Sequence, residues 1–132
     1  SNRMGFWSGS TRLWRLMSST HYDQFEVVVV PFPFTDRNAT KRRPSLILSK
    51  ANIFNTIIGQ NVMAMITTAT HTPWPLDIPI QDLATAGLRV PSIVRMKLFT
   101  LDQALILRKI GSLSVRDRAT VQKSLQQLFK YW

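Results

Sequence analysis

The chain has 132 residues, no cysteine and two histidines, and its 17 Lys and Arg against 7 Asp and Glu leave a net charge of +10. Those figures fit a single domain with a real core, exclude a disulfide framework, thiolate chemistry and a Cys/His zinc site, and argue against a carboxylate-rich metal centre. The cationic excess favours a polyanionic partner, nucleic acid ahead of a membrane surface, and no apolar run approaches the ~20 residues of a membrane helix.

Residues 1–16 (SNRMGFWSGSTRLWRL) mix Arg with Trp and Phe, show no sustained period and lack the apolar core of a signal peptide. They read as an N-terminal extension, a disordered arm or a start-site artefact, ahead of a domain over 17–132. Without Arg3, Arg12 and Arg15 the remainder still carries 14 minus 7, or +7, so the basic character belongs to the domain.

From Phe25 the chain reads as short strands. Val27–Val30 is β-branched and too short for an ordinary helix, which predicts a buried strand ended, or held at an edge, by Pro31 and Pro33. A polar loop follows, and Lys41, Arg42 and Arg43 close it against Pro44. Cations gathered at one loop end suggest an anion-binding edge. Further strands are expected over 45–49, 61–67, 76–80 (weak, with Pro79 inside), 92–95, 97–101 and 104–110, with one helical turn over 81–86. The last segment differs in kind. Ser114 and Asp117 resemble a capping box, and Val121, Leu125, Leu128, Phe129 and Trp132 follow at helical spacing, predicting an amphipathic C-terminal helix. The expected fold is mainly β: a small, partly open barrel with that helix laid across it.

The ordered set Val-Val-Val-Pro-Phe-Pro-Phe-Thr-Asp36, Lys-Arg-Arg-Pro44, Met65-Ile-Thr-Thr68 and Val94-Arg-Met-Lys-Leu-Phe-Thr-Leu-Asp102 resembles the MazF/PemK toxin family from about Tyr22 to Phe129. The resemblance implies an SH3-like, CcdB/PemK-like barrel, usually a homodimer. The implied activity is cytoplasmic, sequence-selective and metal-independent cleavage of single-stranded mRNA without a cofactor. A cognate acidic antitoxin would neutralise it, and the toxin would meet DNA only through that antitoxin.

Without a metal, the substrate's own 2′-hydroxyl attacks the adjacent phosphorus. The protein must then stabilise the charge gained by the phosphorane and move two protons. Arg43 matches the family's Arg-Pro arginine, and a guanidinium donates two-pronged to phosphate oxygens. Thr67 matches the family's strand-end threonine and could donate to a phosphoryl oxygen, or simply satisfy a backbone group. Lys41, Arg42, Thr68, Trp74, Arg95 and Lys97 are expected RNA contacts. Trp74 offers either a stacking face or a packing plug between two prolines. His71 is either a base near neutral pH or an exposed loop histidine. Family members often carry carboxylates at positions that fall here on Asn38 and Met96, which leaves Asp36 as the nearest loop carboxylate; its other reading is a turn cap. Two other classes remain open: a non-enzymatic, gyrase-poisoning toxin resembling CcdB, and an RNA-binding barrel whose catalytic residues have lapsed.

Overall fold

The computed structural model describes residues 21–33 and 41–130; the expectations for residues 1–16, Asp36 and Trp132 fall outside them. Six strands form one antiparallel sheet: β1 Glu26–Phe32, β2 Lys41–Ile47, β3 Gln60–Thr68, β4 Ile78–Pro79, β5 Ser92–Asp102 and β6 Arg108–Ser112, in the order β4-β5-β3-β2-β1-β6. Between β2 and β3 a π-helical turn, Ala51–Asn55, runs into α1, Thr56–Ile58, which stops at Gly59 in the left-handed region. The chain ends in α2, Val115–Leu128.

The sheet curls into a half-barrel. Its two edges meet through the segment after β4, where the Ser112 amide donates to the Thr85 carbonyl at 3.1 Å. This approach is so close that a Cβ on Gly111 would lie 2.4 Å from the Ala86 carbonyl carbon. Gly87 answers from the other side: its φ is +76°, and a Cβ there would lie 2.1 Å from the Ile110 oxygen. Glycine is required at both positions.

The main core lies between one sheet face and α2. It gathers Phe25, Val27, Leu46, Ala64, Ile66, Ile78, Val94, Leu113 and Val121. A smaller cluster, Tyr22, Val28, Val30, Ile47, Met63, Leu101 and Ile106, covers part of the opposite face. Alternation explains the division, since odd and even positions of a strand leave by opposite faces.

Several expectations change in extent. β1 does not end at Pro31: Pro31 and Phe32 pair with Arg42 and Lys41. Val29 already faces β6, where its carbonyl accepts from Leu107; by alternation Pro31 faces that way too, past the end of β6, so its missing N–H costs no ladder bond. β2 begins at Lys41, so the three cations lie within the strand and not in the loop before it. The expected strands at 92–95 and 97–101 are one strand, β5, with Met96 and Lys97 bulged out where Met65↔Arg95 gives way to Ala64↔Leu98. The 76–80 strand shrinks to two residues, 104–110 divides into a 3-10 turn at Gln103–Leu105 and β6, and 81–86 forms turns rather than a helix.

The C-terminal helix forms as expected with Ser114 as its N-cap, the Ser114 hydroxyl accepting from the Asp117 amide. Asp117 does not complete a capping box. Its buried carboxylate crosses to the segment after β4 and accepts from the amides of Gln81 (3.1 Å) and Asp82 (3.0 Å). Asp82 in turn holds Arg116 through two bonds of 2.8 Å. The apolar stripe is buried at Val121 but runs out towards Leu128 and Phe129, which are exposed. No helix among the described residues is long and apolar enough to cross a membrane.

Candidate nucleic-acid interface

Strand register points Arg43 and Thr67 towards the same end of the sheet. β2 and β3 pair Ser45 with Met65, Leu46 with Ala64 and Ile47 with Met63. Continuing that register brings Arg43 level with Thr67, and residues directly opposite share a face. Ser45 and Met65 illustrate the sharing: the Ser45 hydroxyl lies 3.9 Å from the Met65 sulfur. The ladder itself starts only at Ser45, and Pro44 explains why. Leu48 donates to Val62, so even-numbered positions of this strand turn their backbone towards β3; Pro44 falls in that series without an N–H to give. Arg43 and Thr67 therefore flank the point where the two strands part.

The Arg43 guanidinium lies 4.9 Å from the centre of the Phe32 ring on neighbouring β1. Its Nε is buried and has no hydrogen-bond partner among the described residues. A planar cation laid on an aromatic shelf keeps its donor edges fixed and directed away from the ring. Phe32 was not singled out in the sequence, although it sits in the same Pro-Phe-Pro-Phe run; its pairing opposite Lys41, diagonal to Arg43, is what gives it this place.

Lys41 and Arg42 are exposed at the start of β2, and Thr68 at the end of β3 is exposed with its hydroxyl 3.1 Å from that of Thr70. His71 is exposed in the turn that follows, its amide donating to the Thr68 carbonyl at 3.5 Å. Lys97 is exposed on the β5 bulge. The strand ends thus bring Lys41, Arg42, Arg43, Thr67, Thr68 and His71 to one end of the sheet.

Arg95 requires a correction. It was expected to contact RNA, yet it is only 8% exposed and already bound within the protein. Its Nε and Nη2 donate to the two carboxylate oxygens of Asp77 at 3.1 and 2.9 Å, and Nη2 also donates to the Thr72 carbonyl at 2.8 Å. A buried cation has to be paired, and this one is paired in the bidentate geometry that Arg favours. Burial pushes the Asp77 carboxyl up, but the Arg95 bonds and the Trp74 amide outweigh it and hold the group below its ordinary range. The same guanidinium lies 4.9 Å from the Trp74 ring. Trp74 is 43% exposed, so it is no packing plug.

Among the described residues no three His, Asp or Glu side chains gather into a metal-binding group. What the end of the sheet offers is cations, hydroxyls and an exposed aromatic, the equipment for holding a phosphate chain with unstacked bases.

Fold and site together define a small antiparallel half-barrel with a cationic strand end. The profile of the PemK-like, MazF-like toxins of type II toxin–antitoxin systems matches residues 23–129, and the chain belongs to that family. Solved structures agree on the fold. A MazE–MazF crystal structure from Deinococcus radiodurans has a TM-score of 0.66 at 19% identity, covering 86% of this chain and 100% of that one. The toxin MazF-mt6 of Mycobacterium tuberculosis has a TM-score of 0.64 at 23% identity, covering 81% and 99%. An endoribonuclease in complex with its cognate antitoxin, from a mycobacterial species, has a TM-score of 0.66 at 16% identity, covering 84% and 98%. Among curated proteins, none matches the chain significantly by sequence.

Proposed function

We propose that this toxin is a metal-independent endoribonuclease that cleaves single-stranded RNA, mRNA in the cell, by attack of the substrate's 2′-hydroxyl on the adjacent phosphorus. The attack breaks the bond to the 5′-oxygen, releases that oxygen as a protonated hydroxyl and leaves a 2′,3′-cyclic phosphate. The observation that carries the reading is Arg43: a guanidinium laid on Phe32, its buried Nε without a partner among the described residues, in a strand whose register, continued past Ser45↔Met65, points to Thr67. Arg43 stabilises the charge that grows on the phosphorane, and the Thr67 hydroxyl donates to a phosphoryl oxygen. Lys41 and Arg42 hold flanking phosphates, with Thr68 and Lys97 nearby. Asp36 and His71 are the candidates for removing the 2′-hydroxyl proton. The working form is a cytoplasmic two-fold dimer. The exposed apolar side chains of Ile53, Ile57, Leu128 and Phe129 supply surface for such assembly.

The test is Arg43→Ala. Cleavage of a long single-stranded RNA should be abolished, while affinity for an uncleavable 2′-O-methyl version falls only modestly because the other cations remain. Turnover within a few-fold of wild type would remove Arg43 from the centre of the mechanism.

A further inference from the structure

The 72–77 loop is built around a cation that the reaction does not use. Arg95 stands opposite Met65, two residues from Thr67 along β3. Side chains two apart on a strand leave by the same face, so Arg95 rises from the face that carries Thr67 and, through Ser45↔Met65, Arg43. Its guanidinium ties the two ends of the loop, taking Asp77 at one and the Thr72 carbonyl at the other. The Trp74 amide closes the turn on Asp77 Oδ2 at 2.8 Å. Leu76, between them, is held at φ +67°, a conformation non-glycine residues adopt only where surrounding contacts impose it. Pro73 and Pro75 fix φ on either side of Trp74.

The product of these constraints is one indole set with the Arg95 guanidinium at its ring and close to half of its surface open to solvent. A core aromatic would be buried, and an incidental surface aromatic would not be fixed by a buried ion pair, a backbone amide, a backbone carbonyl and two prolines. Arg95 lies two strand spacings across the sheet and two residues along it from Arg43, about 10 Å and about 7 Å, or about 12 Å in all. That is within reach of a nucleotide adjoining a phosphate held at Arg43.

We propose that Trp74 is the stacking platform for a nucleobase flanking the scissile linkage, and that Arg95 and Asp77 are positioning residues that hold it. This rests on the ribonuclease reading and adds to it a residue that selects substrate. Every base has a stacking face, but purines cover more of an indole, so the platform favours a purine at its position. Preformation matters because an ordered loop has no conformational entropy to lose when the base docks.

The experiment combines binding with kinetics on the full chain. Titration with a single-stranded 2′-O-methyl RNA should quench tryptophan emission, and Trp74→Phe should lose that quench while the other three tryptophans serve as the internal control. With cleavable RNA, Trp74→Ala should raise KM about tenfold, leave kcat within a few-fold, and relax the base preference at one position beside the cut. Arg95→Lys keeps the charge but not the fork. It should reproduce the KM change, and its melting temperature shows whether the fold persists. An unchanged KM and cut-site preference in Trp74→Ala, with the wild type active, would overturn the platform. So would RNA that binds without quenching Trp74, or RNA that does not bind. If wild type fails to cleave but RNA still quenches Trp74, the platform stands and the ribonuclease reading falls.

Discussion

Arg43 and Arg95 carry the same group on the same sheet face with β3 between them, yet their surroundings give them different work. Arg95 has a carboxylate and a carbonyl to bind, so its donors are already occupied. Arg43 has an aromatic ring beneath it and a buried Nε with no partner among the described residues; on the proposed reading its donors serve the phosphate. The sequence could point to Arg43 and Thr67, because the motifs that carry them are local and ordered. It could not assign Arg95, whose partner Asp77 is 18 residues away and reaches it because β4, beginning at the next residue, pairs with β5. Residues in catalysis and residues in holding the chain should respond differently to substitution. Thr67→Val keeps the side chain's shape but removes its hydroxyl and should lower kcat about 10²-fold, with Thr67→Ser retaining most activity. Lys41→Ala should leave kcat alone and reduce the slope of log affinity against log salt by about one. Single-turnover rates and salt-dependent binding on one RNA check both; a kcat loss in Lys41→Ala with an unchanged slope would contradict the division.

Among the elements, β1, β3 and α2 are legible because each carries one uninterrupted signal: a β-branched run, an apolar run from Val62 to Ile66 after the turn at Gly59, and a Ser N-cap ahead of a 3.6-residue period. From sequence alone β2 is too short, because Pro44 resembles a strand start. Proline is tolerated inside it since the ladder to β3 begins one residue later. β5 was read as two strands because its bulge interrupts alternation at Met96 and Lys97. The helical stretch from Ala51 to Ile58 was missed because Ile53, Ile57 and Ile58 are exposed, leaving no amphipathic period to find. α2 is fastened chiefly at its first turn. Arg116 and then the Ser114 hydroxyl hold the Asp82 carboxyl down to about 2. A carboxyl depressed in the folded state stabilises above its unfolded value near 4 and loses that contribution as pH falls through its folded value. Arg116→Ala should therefore lower the melting temperature at neutral pH, and the difference from wild type should shrink from about pH 4, be mostly gone by about pH 2 and vanish below it. Thermal melts across that range test it; a difference independent of pH would mean the Arg116–Asp82 pair does not fasten the helix.

At the scale of the whole molecule, charge and fold point the same way. A barrel that keeps +7 without its first sixteen residues suits a polyanion, and the same surface suits an acidic inhibitor. On the proposed reading the antitoxin is a disordered acidic tail that folds on binding, with carboxylates where RNA phosphates would lie along Lys41 to Arg43. Such a tail should compete with labelled RNA for the toxin, and charge reversal at Lys41 and Arg42 should weaken both ligands. A stable ternary complex with RNA affinity unchanged would separate the two sites. The central claim is the chemistry, and one assay addresses it most directly: incubation of the purified protein with a long single-stranded RNA in EDTA, with mapping of the fragment ends. The account predicts discrete fragments ending in 2′,3′-cyclic phosphate and resistance of a substrate carrying a 2′-deoxy or 2′-O-methyl sugar at the cut site. A strict requirement for magnesium, or cutting of the modified substrate, would contradict it.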